Sequence, residues 1–433
     1  TFLRSAQHVR RPGLNGCSGL IGFWVEDSGF DVYNIGYQSF WTAAGHGEIR
    51  QAPAGGKDGK DEQDMKTDSI RMGIIGTGSM GRIHAESIQS GRVPGMCLKA
   101  VAGHSPEGVQ RLREDFPAEV AVYPSAEDLI ESGSCDAVLI AAPHREHPRL
   151  AMEAFAHGLH VMCEKPAGVD TKQVRAMNEA ARESGKVFGM MFNQRADGLY
   201  KTMHVLLEKK ALGEIKRVNW IITDWYRPQA YYDSRTWRAT WAGEGGGVLI
   251  NQCPHNLDLL QWLCGMPSRV RAFCHEGKWH EIEVEDDVTA YLEFPNGATG
   301  VFVTSTGDAP GTNRLEITGE LGKLLCENGR LFHYRLEENE RQFCRSARNG
   351  FSAPAYQVDE LRPERGAQQH VQVLRAFAGK ILRGTPLVAE GEEGIRELMI
   401  SNAMYLSSWL GRMVEIPFDE ELFAIELEKR ARL

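Results

Sequence analysis

The sequence has no apolar run approaching the roughly 20 residues that a membrane-spanning helix needs, so no such helix is expected. Nor has it a surplus of basic charge. Its 49 Lys and Arg against 58 Asp and Glu leave a formal charge of −9, which argues against a general nucleic-acid binder and against a membrane partner held by basic patches. There is no Cys-x-x-Cys pair. Nine cysteines are scattered from Cys17 to Cys344, so neither a disulfide framework nor a zinc ribbon is expected, and reduced thiols in a cytoplasmic protein are. Methionine is missing before Met65. What remains is 42% apolar and 25% charged over 433 residues, an ordinary globular mixture and more chain than one core normally serves.

Residues 1–64 carry no sustained helical or strand periodicity and end in the linker-like Gly55-Gly56-Lys57-Asp58-Gly59-Lys60-Asp61. They are expected to be a disordered or non-native extension. Arg10-Arg11 before a short apolar stretch suggests a targeting signal, but Glu26 and Asp27 end that stretch and no small-residue cleavage site follows.

From Arg71 the pattern changes. Arg71-Met72-Gly73-Ile74-Ile75-Gly76 reads as a strand, Gly76-Thr77-Gly78-Ser79-Met80-Gly81 follows, and a helical pattern begins at Arg82. The order strand, G-x-G-x-x-G, helix is the context that gives this short motif meaning. Gly76 permits a tight turn, Gly78 lets backbone amides approach a pyrophosphate, and Gly81 lets the helix pack on the strand. Strands at Leu98–Gly103, Ala137–Ala142, His160–Cys163 and Val187–Met191 alternate with helical stretches, which predicts a doubly wound parallel sheet. Ligands lie off the carboxyl ends of such strands. Those ends carry the Gly76 loop, Gly103-His104-Ser105, Pro143 and Glu164-Lys165. A carboxylate after the second strand would select NAD over NADP. None occurs before Glu107, and His104, Ser105 and Arg111 could receive a phosphate, so the expectation is NAD or NADP with a slight tilt to NADP.

Two further segments carry chemistry. Pro166 biases Lys165 toward extended geometry at a strand end, where its amine can stabilise charge developing on a substrate oxygen. Gly245-Gly246-Gly247 leads into a predicted helix on which Asn251, His255 and Asp258 share a face. His255 is then a candidate general base. His144-x-x-His147 lacks a completing ligand at metal-site spacing, so no metal is expected, and Cys163 reads as a buried strand thiol. Tyr231 and Tyr232 lie in a segment dense in aromatics and arginines, with faces suited to stacking on a sugar ring.

The glycine loop, Glu164-Lys165-Pro166 and the glycine-run-to-histidine helix, in this order and together with Thr236-Trp237-Arg238, Phe377-Ala378 and Ser401-Asn402-Ala403, resemble the Gfo/Idh/MocA oxidoreductases from about residue 70 to about residue 418. The resemblance implies a Rossmann domain over 65–190 and, over 191–433, an α/β substrate-binding and oligomerisation domain with a large, mostly antiparallel sheet. It implies a nicotinamide cofactor held by Gly76, Gly78, Ser79, Met80, Gly81, His104, Ser105, Ala142, Pro143, His147, Glu164, Lys165, Asn193, Trp237 and Arg238. Catalysis would fall to Lys165, His255 and Asn251, with Lys165, Tyr231, Tyr232, Asn251 and His255 facing a sugar, cyclitol or related polyol. Where the family usually has an aspartate four residues before the histidine, this chain has Asn251, which brings no negative charge. The expected function is dehydrogenase or reductase. Two rivals are a retained-NAD enzyme that cleaves glycosides or eliminates, and a non-catalytic NAD(P) sensor. The later strand-rich segments, among them Val218–Thr223, Val288–Phe294 and Thr299–Thr304, fit an open sheet whose exposed face predicts a homodimer or homotetramer.

Overall fold

The computed structural model describes residues 69–364, 366 and 368–432; the extension expected over 1–64 lies outside these residues. Six parallel strands, β1 (Ile70–Ile75), β2 (Met96–Ala102), β3 (Ala121–Tyr123), β4 (Ala137–Ile140), β5 (His160–Cys163) and β6 (Phe188–Met190), lie in the order β3-β2-β1-β4-β5-β6. This is the dinucleotide-binding arrangement, and its strand order reverses between β1 and β4, beside the glycine loop. β1 and β4 are near-continuous apolar runs because helices cover both faces of a parallel sheet. The short edge strand β3 has no counterpart in the sequence reading, since three residues carry too little alternation to register.

The second sheet has nine strands: β7 (Ile215–Ile222), β8 (Arg269–Glu276), β9 (Glu285–Glu293), β10 (Thr299–Ser305), β11 (Asn313–Gly319), β12 (Gly322–Glu327), β13 (Arg330–Leu336), β14 (Tyr356–Leu361) and β15 (Val414–Glu415). Their order is β14-β13-β12-β11-β7-β10-β9-β8-β15, antiparallel except where β10 runs parallel to β7. The register alternates cleanly. Ala272, Ala290, Phe302, Trp220 and Leu315 form a row across β8, β9, β10, β7 and β11, all buried. The adjacent row, Phe273, Thr289, Val303, Ile221 and Arg314, points the other way. The buried face packs against helices that include Gly394–Leu410. β12 and β13 turn on Asn328-Gly329, with positive φ at both residues, a hairpin signal that a sequence reading can use.

One helix departs from the expected division. Gln369–Arg383 lies in the half of the chain assigned to the second domain, yet Val371, Leu374, Phe377 and Ala378 pack into the core of the parallel sheet with Met72, Ile74, Ala85 and Ile88. Its apolar stripe at i, i+3, i+6 and i+7 completes the cover of that sheet. Arg195, after β6, is a second tie. It is 3% exposed and pairs with Asp258 at 2.5 Å and Glu393 at 2.5 Å, joining three distant segments. Among the described residues, no helix is long and apolar enough to cross a membrane.

Candidate active site

The glycine loop links β1 to the helix Ser79–Gln89. Gly76 has φ +91°, and a Cβ at Gly81 would fall 1.9 Å from the Gly76 carbonyl oxygen. Close helix–loop packing therefore requires glycine at 81. Around Gly78 the space within 4 Å of a Cβ is open. Gly78 caps the helix without a side-chain bond, and the first turn holds no acid, so its amides and partial positive charge suit an anion. A pyrophosphate fits this cradle. Across the switch point, Ala142 and Pro143 lie beyond β4, and a Cβ at Gly76 would fall 2.7 Å from the Ala142 nitrogen.

After β2, Ser105 serves as N-cap of the helix Pro106–Asp115, accepting from the Gly108 amide at 3.1 Å. His104 is exposed beside it. His147 is wholly buried, and its two ring nitrogens lie 2.8 Å from the carbonyl oxygens of Pro166 and Ala142. It clamps the strand ends that form the cleft, and no ring nitrogen remains for a ligand. Asn193 donates through Nδ2 to Gln369 Oε1 at 2.9 Å.

Beyond β5 stand Glu164 and Lys165, with a cis bond between Lys165 and Pro166. His84, one turn into the loop's helix, lies with Nε2 2.7 Å from Glu164 Oε1. Burial alone would push the Glu164 carboxyl up, but His84 and the neighbouring charges of His370 and Lys165 bring it down to about 2. That ionised carboxylate ties the glycine loop's helix to the residue before Lys165. Lys165 Nζ donates to the Asn251 main-chain oxygen at 2.9 Å, which places the strand-end lysine against the segment that follows the glycine run.

That segment is two helices, not one. Val248–Asn251 stops, and Pro254–Cys264 begins after a break at Gln252-Cys253. The break corrects the shared face expected for Asn251, His255 and Asp258: Asp258 turns into the core against Arg195. The glycine run has a packing reason. A Cβ at Gly247 would fall 1.9 Å from the Glu285 main-chain oxygen. The Glu285 side chain accepts from the amides of Gly247 and Leu249, each at 2.9 Å, and from Tyr405 Oη at 2.7 Å. Burial outweighs these three donors and raises its carboxyl to about 7.

His255 has no hydrogen-bond partner at its buried Nδ1 among the described residues. Burial, and secondarily the Lys165 charge, hold its pKa well below 6.5, so the imidazole is neutral near pH 7 and able to accept a proton. Tyr231 Oη accepts from Asn251 Nδ2 at 3.2 Å, and Arg238 lies over the Tyr231 ring at 4.2 Å. Trp237 is partly exposed beside Arg238. Tyr232 does not join them. It is buried, its hydroxyl lies 2.7 Å from Thr306 Oγ1, and burial raises its pKa to about 12. Adjacent residues of the short helix Gln229–Asp233 point in different directions, which spacing alone did not resolve. Cys163 is a buried thiol whose pKa burial pushes up. Glu244 was missed. It is 2% exposed and bonds Asn251 Nδ2.

Residues 70–192 match the family model described as an oxidoreductase family with an NAD-binding Rossmann fold, and residues 200–325 match the GFO/IDH/MocA C-terminal domain; together they span more than half of the chain. The chain belongs to the Gfo/Idh/MocA oxidoreductases. The myo-inositol 2-dehydrogenase of Thermotoga maritima is 25% identical over 77% of this chain and 95% of its own. The levoglucosan dehydrogenase of Pseudarthrobacter phenanthrenivorans is 25% identical over 67% of this chain and 82% of its own. Among solved structures, the WlbA dehydrogenase of Bordetella pertussis, in complex with NADH and UDP-GlcNAcA, superposes with a TM-score of 0.68 at 25% identity. That match covers 81% of this chain and all of the other. The protein is thus an oxidoreductase with an NAD-binding Rossmann domain.

Proposed function

We propose that this protein is a nicotinamide-dependent dehydrogenase or reductase that interconverts a secondary alcohol and a ketone on a sugar, cyclitol or related polyol. The observation that carries the reading is the bond from Lys165 Nζ to the Asn251 main-chain oxygen, with the Lys165 charge acting on buried His255, in a chain whose glycine loop leaves the helix N-terminus at Gly78 without a side-chain cap. The relatives' activities on inositol and levoglucosan supply the substrate class.

The bound cofactor supplies the hydride acceptor or donor. Gly76, Gly78, Ser79, Met80 and Gly81 hold its pyrophosphate, with Ala142, Pro143 and Trp237 along the cleft. The ammonium of Lys165 polarises the substrate oxygen and stabilises alkoxide charge. His255, held neutral, takes the hydroxyl proton in oxidation and returns it in reduction. Asn251 and Tyr231 orient the substrate. NAD(H) is the cofactor that the family match and the NADH-bound relative favour, while the absence of a carboxylate directly after β2 admits NADP through His104 and Arg111. The exposed apolar side chains of the second sheet support a homodimer or homotetramer.

The test is spectrophotometric formation of reduced nicotinamide from NAD and from NADP, against inositols, sugars and sugar acids. One member of the panel should turn over. His255→Ala and Lys165→Ala should each lower turnover about 10²–10⁴-fold with cofactor affinity nearly unchanged. A panel without turnover, in protein that binds NADH, would overturn the reading in favour of a retained cofactor or a sensor.

A further inference from the structure

We infer that Glu244 is a positioning residue of this site: its buried carboxylate fixes which way the Asn251 amide faces and brings to the Lys165–Asn251–His255 cluster the negative charge that Asn251 lacks. For its catalytic consequence the inference rests on the dehydrogenase reading above; the contact itself does not.

Glu244 precedes the glycine run and is 2% exposed. Its Oε2 accepts from the Ala239 amide at 2.8 Å, which closes the loop from 239 to 244. Its Oε1 accepts from Asn251 Nδ2. An ionised carboxylate only accepts hydrogen bonds, so it admits the NH₂ edge of a neighbouring amide and rejects the oxygen edge. The direction of Asn251 is therefore set by chemistry. Nδ2 is turned to Glu244 and Tyr231 Oη, and Oδ1 is left to accept from a substrate hydroxyl. Lys165 bonds the main chain of the same residue, so an ammonium and a carboxylate bracket Asn251 from opposite ends.

The charges that face Glu244 come from several segments. Arg238 lies on its own loop, Lys165 arrives from the strand end after β5, and His144 meets its main-chain oxygen at 3.4 Å. Burial, and after it the neighbouring His147 and Lys165, hold the His144 pKa well below 6.5, leaving Arg238 and Lys165 as the cations. Burial pushes the Glu244 carboxyl above its ordinary 4.5; the Ala239 amide, Arg238, the Asn251 amide and Lys165 draw it back toward the charged form. On protonation the carboxyl becomes a donor and the amide is free to turn over. Activity should then fall on the acid side at a higher pH than an exposed glutamate would cause.

The test is a four-member cycle in the full chain: parent, Glu244→Gln, Asn251→Asp and the double variant. In the double variant amide and carboxylate exchange places, and their bond survives with its direction reversed. Asn251→Asp alone sets two carboxylates in contact. Its melting temperature with NADH bound should fall relative to the parent as pH rises from about 5 to about 8, and the double variant should abolish that fall. With NAD and myo-inositol, or the panel member that turns over, Glu244→Gln should lower kcat/KM about ten- to a hundredfold and lose the acid limb, and the double variant should recover to within about fivefold of the parent. Glu244→Gln with the parental rate and pH profile would overturn the inference. So would additive melting shifts across the cycle, and these are read without turnover. If the dehydrogenase reading fails on every substrate, the melting cycle still decides whether Glu244 and Asn251 are coupled.

Discussion

At residue 81 the backbone allows no substituent. The helix proposed to receive the pyrophosphate presses against the Gly76 carbonyl, and a methyl group there would overlap it. Gly81→Ala must push the helix off β1 or twist the loop. Overpacking of this kind costs ~1–3 kcal/mol, and where it falls on the loop it appears as about ten- to a hundredfold weaker cofactor binding. Fluorescence titration with NADH measures this, and Gly78→Ala, with open space around it, should lose less. Spacing alone pointed to Gly76, Gly78 and Gly81, because each glycine owes its position to the few residues around it; Lys165 and His255 gained their weight as candidates from the resemblance to the family. Tyr231 and Tyr232 were not separable that way. The path of a five-residue helix decides which ring meets Asn251 and which meets Thr306.

At the scale of elements, the short helix that carries Asn251 is held from a strand 38 residues away. The two carboxylate oxygens of Glu285 accept separately from the Leu249 and Gly247 amides. Glutamine offers only one acceptor oxygen, so Glu285→Gln leaves a buried N–H unpaired at a cost of about 1–3 kcal/mol. The pH dependence has a definite sign. Folding raises this carboxyl from 4.5 to about 7. As pH rises through that window the unfolded chain releases the proton first, so the contribution to stability, full below about 4.5, is lost by about 7. Urea unfolding of the parent across this range should show that decline, and Glu285→Gln should lack this component of it. The glycine run was readable as a turn; its packing against Glu285 and Tyr405 was not, because these partners arrive from β9 and from the helix Gly394–Leu410.

For the whole molecule, the nine-stranded sheet is covered on one face only among the described residues. On the open face Phe273 is 51% exposed and Tyr291 38% on the neighbouring strands β8 and β9, and Ile221 is 39% exposed on β7, one strand beyond β10. Exposed apolar side chains clustered in this way suit association with a second copy. Light scattering should give a dimer or tetramer, and Phe273→Glu with Ile221→Glu should shift it toward monomer while NADH binding persists. A monomeric parent at assay concentration would count against the face as an interface.

The division of labour between sequence and tertiary structure follows contact range. Alternating strands and helices and the glycine loop were determined locally, by apolar periodicity and by backbone positions that need glycine, while the plan of the second sheet was implied by the family resemblance and only fitted by its strand-rich segments. The return of Gln369–Arg383 to the first sheet was not, since an apolar stripe states that a helix is buried but not against which sheet. Nor were the partners that tune the site. His84 meets Glu164 across 80 residues and Arg195 meets Asp258 across 63, and Glu244 reaches Asn251 only because the glycine run folds back between them. Hydrogen bonds and charges act over a few ångströms in space whatever the separation along the chain, so the site's electrostatics were decided only when the loops had closed.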